Sequence, residues 1–207
     1  MIEGADRLVL EGEYVRLEPL ALSHVSALVE AADESRETYA WTWVPDGKEG
    51  TAAYTLELIQ WRRQGLVVPF ATVRKSDGRV VGATRFMSIT SFDWPERSPH
   101  RRTLDSVEIG GTWLAASAQR TPVNTEAKYL MLRHAFEEWN VHRVELLTDE
   151  RNERSRRAIE RLGAKLDGVL RNHRMGADLN LRSSAVYSVI EPEWPGVKAG
   201  LERKLGR

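Results

Sequence analysis

Hydrophobic residues recur with a period of two in some segments of the chain and near 3.6 in others. Val15 and Leu17 alternate with polar residues in "YVRLEPL", which predicts a strand. The next segment, "SHVSALVEAADES", predicts a helix capped by Ser23, because four apolar residues share one face: Val25, Leu28, Val29 and Ala32. A second helix is predicted over "TAAYTLELIQWRRQG" and ends at Gly65.

The remaining segments predict hairpins first and alternating strands and helices later. "VVPFATVR" and "RVVGATRFMSI" are strand-like and flank Asp77-Gly78, a tight-turn pair. Beyond a polar stretch, "VEIGGTWL" predicts a strand, and a helix follows from about Thr121 to Trp139. Then come a strand, "RVELLT", a helix that Gly163 ends, "NERSRRAIERLG", and two strands, "AKLDGVLRNHRM" and "SSAVYSVI". This order predicts a mixed α+β fold.

Composition narrows the classes of function. The 207 residues suit a single domain, residues 1–207. Thirty basic and thirty acidic residues give no net charge to attract nucleic acid or an anionic membrane. The chain has no cysteine, which excludes disulfides and a thiol nucleophile, and its five histidines lack ligand spacing, so we expect no metal. Without a signal segment or an apolar run of about 18 residues, a cytoplasmic protein is expected.

The loop-to-helix junction "SAQRTPVNTEAKYLML" is the first candidate site. Thr121 is a suitable N-cap and Pro122 a suitable first helical residue. Free amides and the helix dipole at such a start can bind an anion such as phosphate. The alternative is a well-capped helix that binds nothing.

Two further features favour a ligand slot. Gly110-Gly111 inside a strand indicates a bulge or the close approach of a ligand. Asn152 and Ser155 lie three residues apart near a helix start, so both can contact one ligand. The alternative is that Asn152 only caps its helix.

Five segments follow one another along the chain: the strand "VEIGGTWL", the helix "AQRTPVNTEAKYLMLRHAFE", the strand "RVELLT", the helix "NERSRRAIERLGA" and the segment "YSVIEPEW". Their order resembles the GNAT superfamily of acyl-CoA-dependent N-acyltransferases. The branch of ribosomal-protein alanine and serine N-terminal acetyltransferases is the most similar. The resemblance implies a bent, mainly antiparallel sheet flanked by helices and splayed over Val107–Leu114, with acyl-CoA in the gap. It also implies a homodimer.

The resemblance also implies roles for individual residues. The turn from Gln119 to Asn124 would hold the CoA pyrophosphate, although Pro122 and Asn124 occupy two positions where relatives have small residues. Proline has no N–H, so the remaining donors are nearby amides and one cation. These cofactor-binding residues are Gln119, Arg120, Thr121, Val123, Asn124 and Thr125.

The chemistry that the resemblance implies is attack of an amine on a thioester. Glu108 would be the general base, with a surface carboxylate as the alternative. Ser155 would protonate the departing thiolate, and Asn152 would orient pantetheine or a water. A backbone N–H near Trp113 or Leu114 would face the thioester carbonyl.

The acceptor is expected to be a primary amine, either a protein N-terminus or a small molecule. Relatives build part of the acceptor pocket in the segment "YAWTWVPDG", which assigns Trp41 and Trp43 to it; the alternative is packing in the core. The loop "SFDWPERSPHRR" is expected to be solvated. A noncatalytic CoA-binding or regulatory domain is the alternative function, because the pyrophosphate turn is substituted.

Overall fold

Residues 4–207 are described by the structure, a computed structural model, and contain one eight-stranded sheet. The strands are β1 (Leu10–Glu11), β2 (Val15–Pro19), β3 (Val68–Arg74), β4 (Val80–Thr90), β5 (Ser106–Leu114), β6 (Arg143–Asp149), β7 (Lys165–Met175) and β8 (Leu181–Ile190). The α-helices are α1 (Val25–Asp33), α2 (Gly47–Arg63), α3 (Pro122–Arg133), α4 (Glu153–Leu162) and α5 (Trp194–Lys204).

The sheet has the order β1-β2-β3-β4-β5-β6-β8-β7 and is antiparallel except between β5 and β6. These two parallel strands pair only over Ser106–Glu108 and Arg143–Glu145. Both strands continue beyond this pairing, β5 to Leu114 and β6 to Asp149. The strands therefore separate after Glu108, and the predicted splayed, mainly antiparallel α+β sheet is confirmed.

Helices cover both faces of the sheet. Arg85 of β4 contacts Tyr54 of α2, whereas the next residue, Phe86, packs against the rings of His134 and Trp139 after α3. Because successive side chains of a strand point to opposite faces, α2 and α3 lie on opposite sides. Most apolar side chains of α3 are buried, which fixes this helix against the sheet: Val123, Ala127, Tyr129, Leu130, Met131 and Leu132.

The predicted helix ends are confirmed at two glycines, whereas one predicted cap was wrong and one helix was not predicted. Gly65 and Gly163 follow α2 and α4 with φ of +75° and +103°, which glycine adopts without strain. Ser23 does not cap α1, because it lies inside a 3₁₀ turn that precedes the helix. The helix α5 was not predicted, because its proline and glycines weaken helix propensity. Burial of Trp194 and Leu201 stabilises that helix instead.

Candidate active site

A β-bulge in β5 shapes the slot between β5 and β6. Arg85 pairs with Gly110 and Ala83 pairs with Trp113, so β5 has one residue more than β4 in this interval. A Cβ at Gly110 would lie 2.8 Å from Glu108 Oε1, and one at Gly111 would lie 2.6 Å from Arg85 Cζ. Gly111 also has a φ of +57°. The predicted bulge is confirmed; the positive φ favours glycine at Gly111, and a side chain at either glycine would displace Glu108 or Arg85.

Glu108 lies on β5 where the strands separate. Its side chain is only 4% exposed and forms an ion pair with Arg174 of β7, at 3.1 Å between Oε2 and Nη2. Ser88 Oγ of β4 donates to the same oxygen at 2.9 Å. Glu108 is thus a buried carboxylate whose orientation two donors fix, which excludes the alternative of a surface carboxylate.

The start of α3 has the geometry that the sequence predicted. Thr121 is the N-cap, its Oγ1 accepts from Val123 N at 3.4 Å, and Pro122 is the first helical residue. Helix geometry directs the N–H of Thr125, the fourth residue after the cap, to the Thr121 carbonyl. The amide of Asn124 therefore remains as the main donor for an anion, with a weakly capped Val123 amide beside it.

The loop before α3 is braced by Gln119. Its Nε2 donates to Thr38 Oγ1 at 3.0 Å and to the Leu114 carbonyl at 2.9 Å. Its Oε1 accepts from Arg154 Nη1 of α4 at 3.0 Å. The Gln119 side chain therefore holds the turn in place, while Arg120 is exposed with a φ of +61°. Arg154 therefore adds a cation at this turn.

Asn152 and Ser155 lie at the start of α4. Asn152 is buried, and its Oδ1 accepts from Ser155 N at 3.0 Å, so Asn152 does cap this helix. Ser155 is partly exposed, and its hydroxyl has no hydrogen-bond partner among residues 4–207. The cap uses the side-chain carbonyl of Asn152 and the backbone amide of Ser155. The Asn152 Nδ2 and the Ser155 Oγ are therefore left for a ligand.

An aromatic wall lies on the α2 side of β5. Trp43 is 59% exposed, and its ring centroid lies 5.5 Å from that of Tyr54. The Tyr54 hydroxyl accepts a long hydrogen bond, 3.5 Å, from Arg85 Nη1. Burial raises the pKa of Tyr54, with Arg85 opposing the shift, so the hydroxyl keeps its proton at neutral pH. Trp43 therefore is not a core residue, and a chain of contacts connects it to the bulge.

Trp41 and Trp113 lie at two other positions of this region. Arg151 Cζ lies 4.0 Å from the ring centroid of Trp41, which is cation–π geometry. Trp113 is buried in edge contact with Tyr39, 6.2 Å between ring centroids, and the Tyr39 hydroxyl donates to the Leu114 carbonyl at 3.0 Å. These contacts fix the outer end of β5.

Several polar residues at the site were missed by sequence reasoning. They are Tyr54, Ser88, Arg85, Arg154, Arg174 and Arg182. Five of them lie in segments whose pattern predicted a helix or a strand, Arg182 directly precedes the predicted strand "SSAVYSVI", and no motif marks their role. The register of β4 with β5, and the reach of the β7–β8 hairpin to Glu108, bring most of them together.

Other expectations concern the polar loop, membranes and metals. Arg102 of the loop forms an ion pair with Glu191 at 3.5 Å, and Arg97 and Arg101 are exposed. None of the helices in residues 4–207 has the length and apolar content to cross a membrane. Within the same residues, no three acidic or histidine side chains form a group suited to a metal ion.

Comparisons with known proteins give a consistent family. Residues 15–165 match the family described as Acetyltransferase (GNAT) domain. A search of curated proteins found no match. Among solved structures, one from T. thermophilus, assigned provisionally as an acetyltransferase, is 38% identical with a TM-score of 0.77, over 95% of this chain and 96% of that one.

Two further structures are similar. A GCN5-related N-acetyltransferase from Brucella melitensis is 28% identical with a TM-score of 0.79, over 95% of this chain and 85% of that one. Mycobacterium smegmatis RimJ in complex with CoA-disulfide is 22% identical with a TM-score of 0.76, over 96% of this chain and 92% of that one. At that identity, the last similarity concerns the fold.

Proposed function

Because the chain belongs to the GNAT acetyltransferase family, we propose that its β5–β6 slot binds acetyl-CoA and that Glu108 faces the acceptor amine. The protein is an acyl-CoA-dependent N-acetyltransferase, and the match covers most of its length. The observation that supports the site assignment best is the buried, doubly hydrogen-bonded carboxylate of Glu108 where β5 and β6 separate. The noncatalytic alternative has no need for this arrangement.

The residues of the slot fit acetyl-CoA. A slot opened by parallel strands that separate after Glu108 suits the narrow pantetheine arm. The amides of Val123 and Asn124 suit the pyrophosphate, and Arg120 and Arg154 can add positive charge. We assign Asn152 Nδ2 and the backbone near Trp113 and Leu114 to the pantetheine and the thioester, and retain Thr121 and Gln119 as residues that shape the turn.

The proposed reaction is a direct transfer. The amine nitrogen attacks the thioester carbonyl, a C–N bond forms, and the C–S bond breaks as the tetrahedral intermediate collapses. Glu108 accepts the proton of the amine, through a water molecule, and a backbone N–H of β5 stabilises the oxyanion. The thiolate leaves with a proton from the Ser155 hydroxyl, whose lack of an internal partner supports this role. Ser155 regains a proton from solvent, and Glu108 releases to solvent the proton that it took from the amine.

For the acceptor we propose a protein N-terminal α-amine, with a small-molecule amine of low pKa as the second choice. At pH 7.5 an α-amine is about one-quarter neutral, whereas a lysine side chain is neutral in about one part in a thousand. A site with one modest base therefore suits the α-amine. The exposed Trp43 and the partly exposed Trp41 are proposed to line its entrance. We place the chain in the branch that resembles ribosomal-protein alanine and serine acetyltransferases.

The test of the catalytic assignment is the pH profile of Glu108→Gln. Because a larger share of the amine is protonated at low pH, we expect the rate to fall mainly there. An equal loss at every pH, or no loss, would remove Glu108 as the base. Glu30→Gln, on the exposed face of α1, is the matched control and should follow the wild type.

Cofactor binding is tested by calorimetric titration with acetyl-CoA beside a Pro122→Gly variant. Micromolar binding by the wild type is expected. Binding by the variant alone would mean that Pro122 closes the phosphate site, which favours the noncatalytic alternative.

We also propose a homodimer through β7, which lies at the edge of the sheet. Large apolar side chains are exposed on the β7–β8 hairpin: Leu166, Val169, Leu170, Met175, Leu179 and Leu181. An antiparallel pairing of two β7 strands about Val169 would set Asp167 opposite Arg171 of the second copy, which is complementary in charge.

The dimer is tested by sedimentation of Val169→Asp beside Val9→Asp, an exposed valine elsewhere. We expect dimers for the wild type and the control and a monomer for Val169→Asp. A monomeric wild type would contradict the proposal. A single domain over residues 1–207, a cytoplasmic location and the lack of a nucleic-acid partner stay predictions from the sequence.

A further inference from the structure

We propose that the acceptor of this enzyme carries a carboxylate close to its amine, and that Arg85 and Arg182 bind it. The inference rests on the proposed function, since it concerns the same acceptor pocket. It is based on two arginines beside Glu108 that have no acidic partner, and on the charges around them.

Arg182 lies opposite another arginine and contacts no carboxylate in residues 4–207, although Asp149 and Glu108 are near enough to attract it. Its Cα is directly opposite that of Arg174 in the β7–β8 ladder, and like charges in such pairs repel. Arg174 is neutralised by Glu108, 3.1 Å away. Arg182 has no carboxylate within 4.0 Å in residues 4–207, and its Nε is buried without a hydrogen-bond partner. A buried donor without a partner costs about 1–3 kcal/mol.

Arg85 of β4 is the second of these arginines. Arg85 pairs with Gly110 and Met87 with Glu108, so the Arg85 and Glu108 side chains share one face of the sheet. The Arg85 Nε is buried without a partner, and the best contact of the guanidinium is the 3.5 Å bond to Tyr54. In the part of the chain that the structure describes, Arg85 also forms no ion pair.

The nearby charges leave an excess of positive charge. Arg151 is bound by Asp149 and Asp178, at 2.7 and 2.8 Å, so it does not add to this excess. Burial, followed by repulsion from Arg174 and Arg182, lowers the pKa of His173, which is then neutral at pH 7. Four arginines and three carboxylates therefore leave one net positive charge, and in residues 4–207 Arg85 and Arg182 are the guanidinium groups of this set that contact no carboxylate. They disfavour an acceptor with a second cation and suit a carboxylate, which arginine binds through paired N–H groups.

The anion that these arginines bind is distinct from the phosphates of CoA. The proposed phosphate site lies at the start of α3, beyond Leu114 at the far end of β5. A strand rises about 3.3 Å per residue, so Glu108 lies about 20 Å from that end. Arg85 pairs with Gly110 at the bulge, and Arg182 pairs with Arg174, the residue that binds Glu108. Both arginines are therefore placed at the acceptor end of the slot.

The experiment compares matched acceptors. One pair is two peptides with N-terminal serine that differ only in glutamate or glutamine at the second position; the other is free serine and serine amide. Rates for the second pair are compared per unprotonated amine, because the amide lowers the pKa of the amine. We expect kcat/KM to be at least tenfold higher for the acidic member of one pair, because charge-assisted hydrogen bonds contribute about 1.5–3 kcal/mol. The pair that shows the preference identifies which carboxylate is bound.

Variants then assign the preference to the two arginines. In Arg182→Met and Arg85→Met, we expect KM for the acidic acceptor to rise toward that of the neutral one, so that the ratio of the two KM values approaches one, with the affinity for acetyl-CoA unchanged. Arg182→Lys should keep part of the preference. Arg203→Gln, an exposed arginine on α5, is the control and should behave as the wild type.

Each failure has its own meaning. A wild type that acetylates both members of each pair equally would overturn the inference and leave the proposed function intact. A loss of acetyl-CoA affinity in the arginine variants would also overturn it, because the arginines would then serve the cofactor. No acetylation of any amine, despite acetyl-CoA binding, would refute the proposed function itself.

Discussion

Replacing Lys128 by methionine should stabilise the protein, by an amount that depends on pH. Lys128 lies on α3, is 4% exposed, and donates to Thr84 Oγ1 at 3.0 Å and Thr112 Oγ1 at 2.6 Å. Burial lowers the pKa of its ammonium from 10.5 to about 7. No carboxylate lies within 4.0 Å of Nζ in residues 4–207, so the two hydroxyl acceptors offset only part of the cost of desolvating the charge.

The magnitude follows from the two pKa values. The pKa of Lys128 is about 7 in the folded protein, compared with 10.5 for an unperturbed lysine, a difference of about 3.5. Each unit of pKa difference corresponds to about 1.36 kcal/mol. The charged amine therefore costs up to about 5 kcal/mol of folding free energy below pH 7. Between the two values the unfolded chain binds more protons than the folded one, so wild-type stability should rise with pH there.

The assay is urea unfolding of the wild type and Lys128→Met at several pH values from 6 to 10. Methionine has a similar volume without the charge, so the variant should be more stable at pH 6. Its advantage should shrink by about 1.4 kcal/mol per pH unit above pH 7. Lys48→Met, on the exposed face of α2, is the control and should show no such slope. A stability difference between wild type and Lys128→Met that does not vary with pH would refute the reasoning.

Three other substitutions test the fold around the site. Glu126→Gln should lower the unfolding free energy by about 3–5 kcal/mol, because the buried carboxylate accepts from the amides of residues 13–15 and pairs with Arg207. Urea unfolding measures this free energy, and a loss below about 1 kcal/mol would contradict the prediction. Gly111→Ala should cost about 1–3 kcal/mol through its φ of +57° and reduce activity, measured by thermal melting and initial rates. Asn152→Ala should lower stability by about 1 kcal/mol through loss of the α4 cap, and a melting temperature equal to the wild type would argue against that cap.

Local signals in the sequence determined the order of the elements and much of the candidate site. Alternating or helical spacing identified seven of the eight strands, all but the two-residue β1, and four of the five α-helices, since these patterns reflect which face each element buries. Gly110-Gly111 marked the bulge and Thr121-Pro122 marked the start of α3, because both depend on short-range backbone geometry. The fifth helix was missed, since burial of Trp194 and Leu201, rather than local propensity, stabilises it.

Contacts between residues distant in sequence were decided only by the tertiary structure. Glu108 and Arg174 are 66 positions apart, and the Glu126 carboxylate binds amides more than 110 positions away. No periodicity encodes such a pair, because the register of several strands must be set before the side chains can meet. The sequence therefore determined where the slot and the turn lie. The packing of β4, β5 and the β7–β8 hairpin decided which charges surround Glu108. It also decided which arginines near the slot lack a carboxylate contact in residues 4–207.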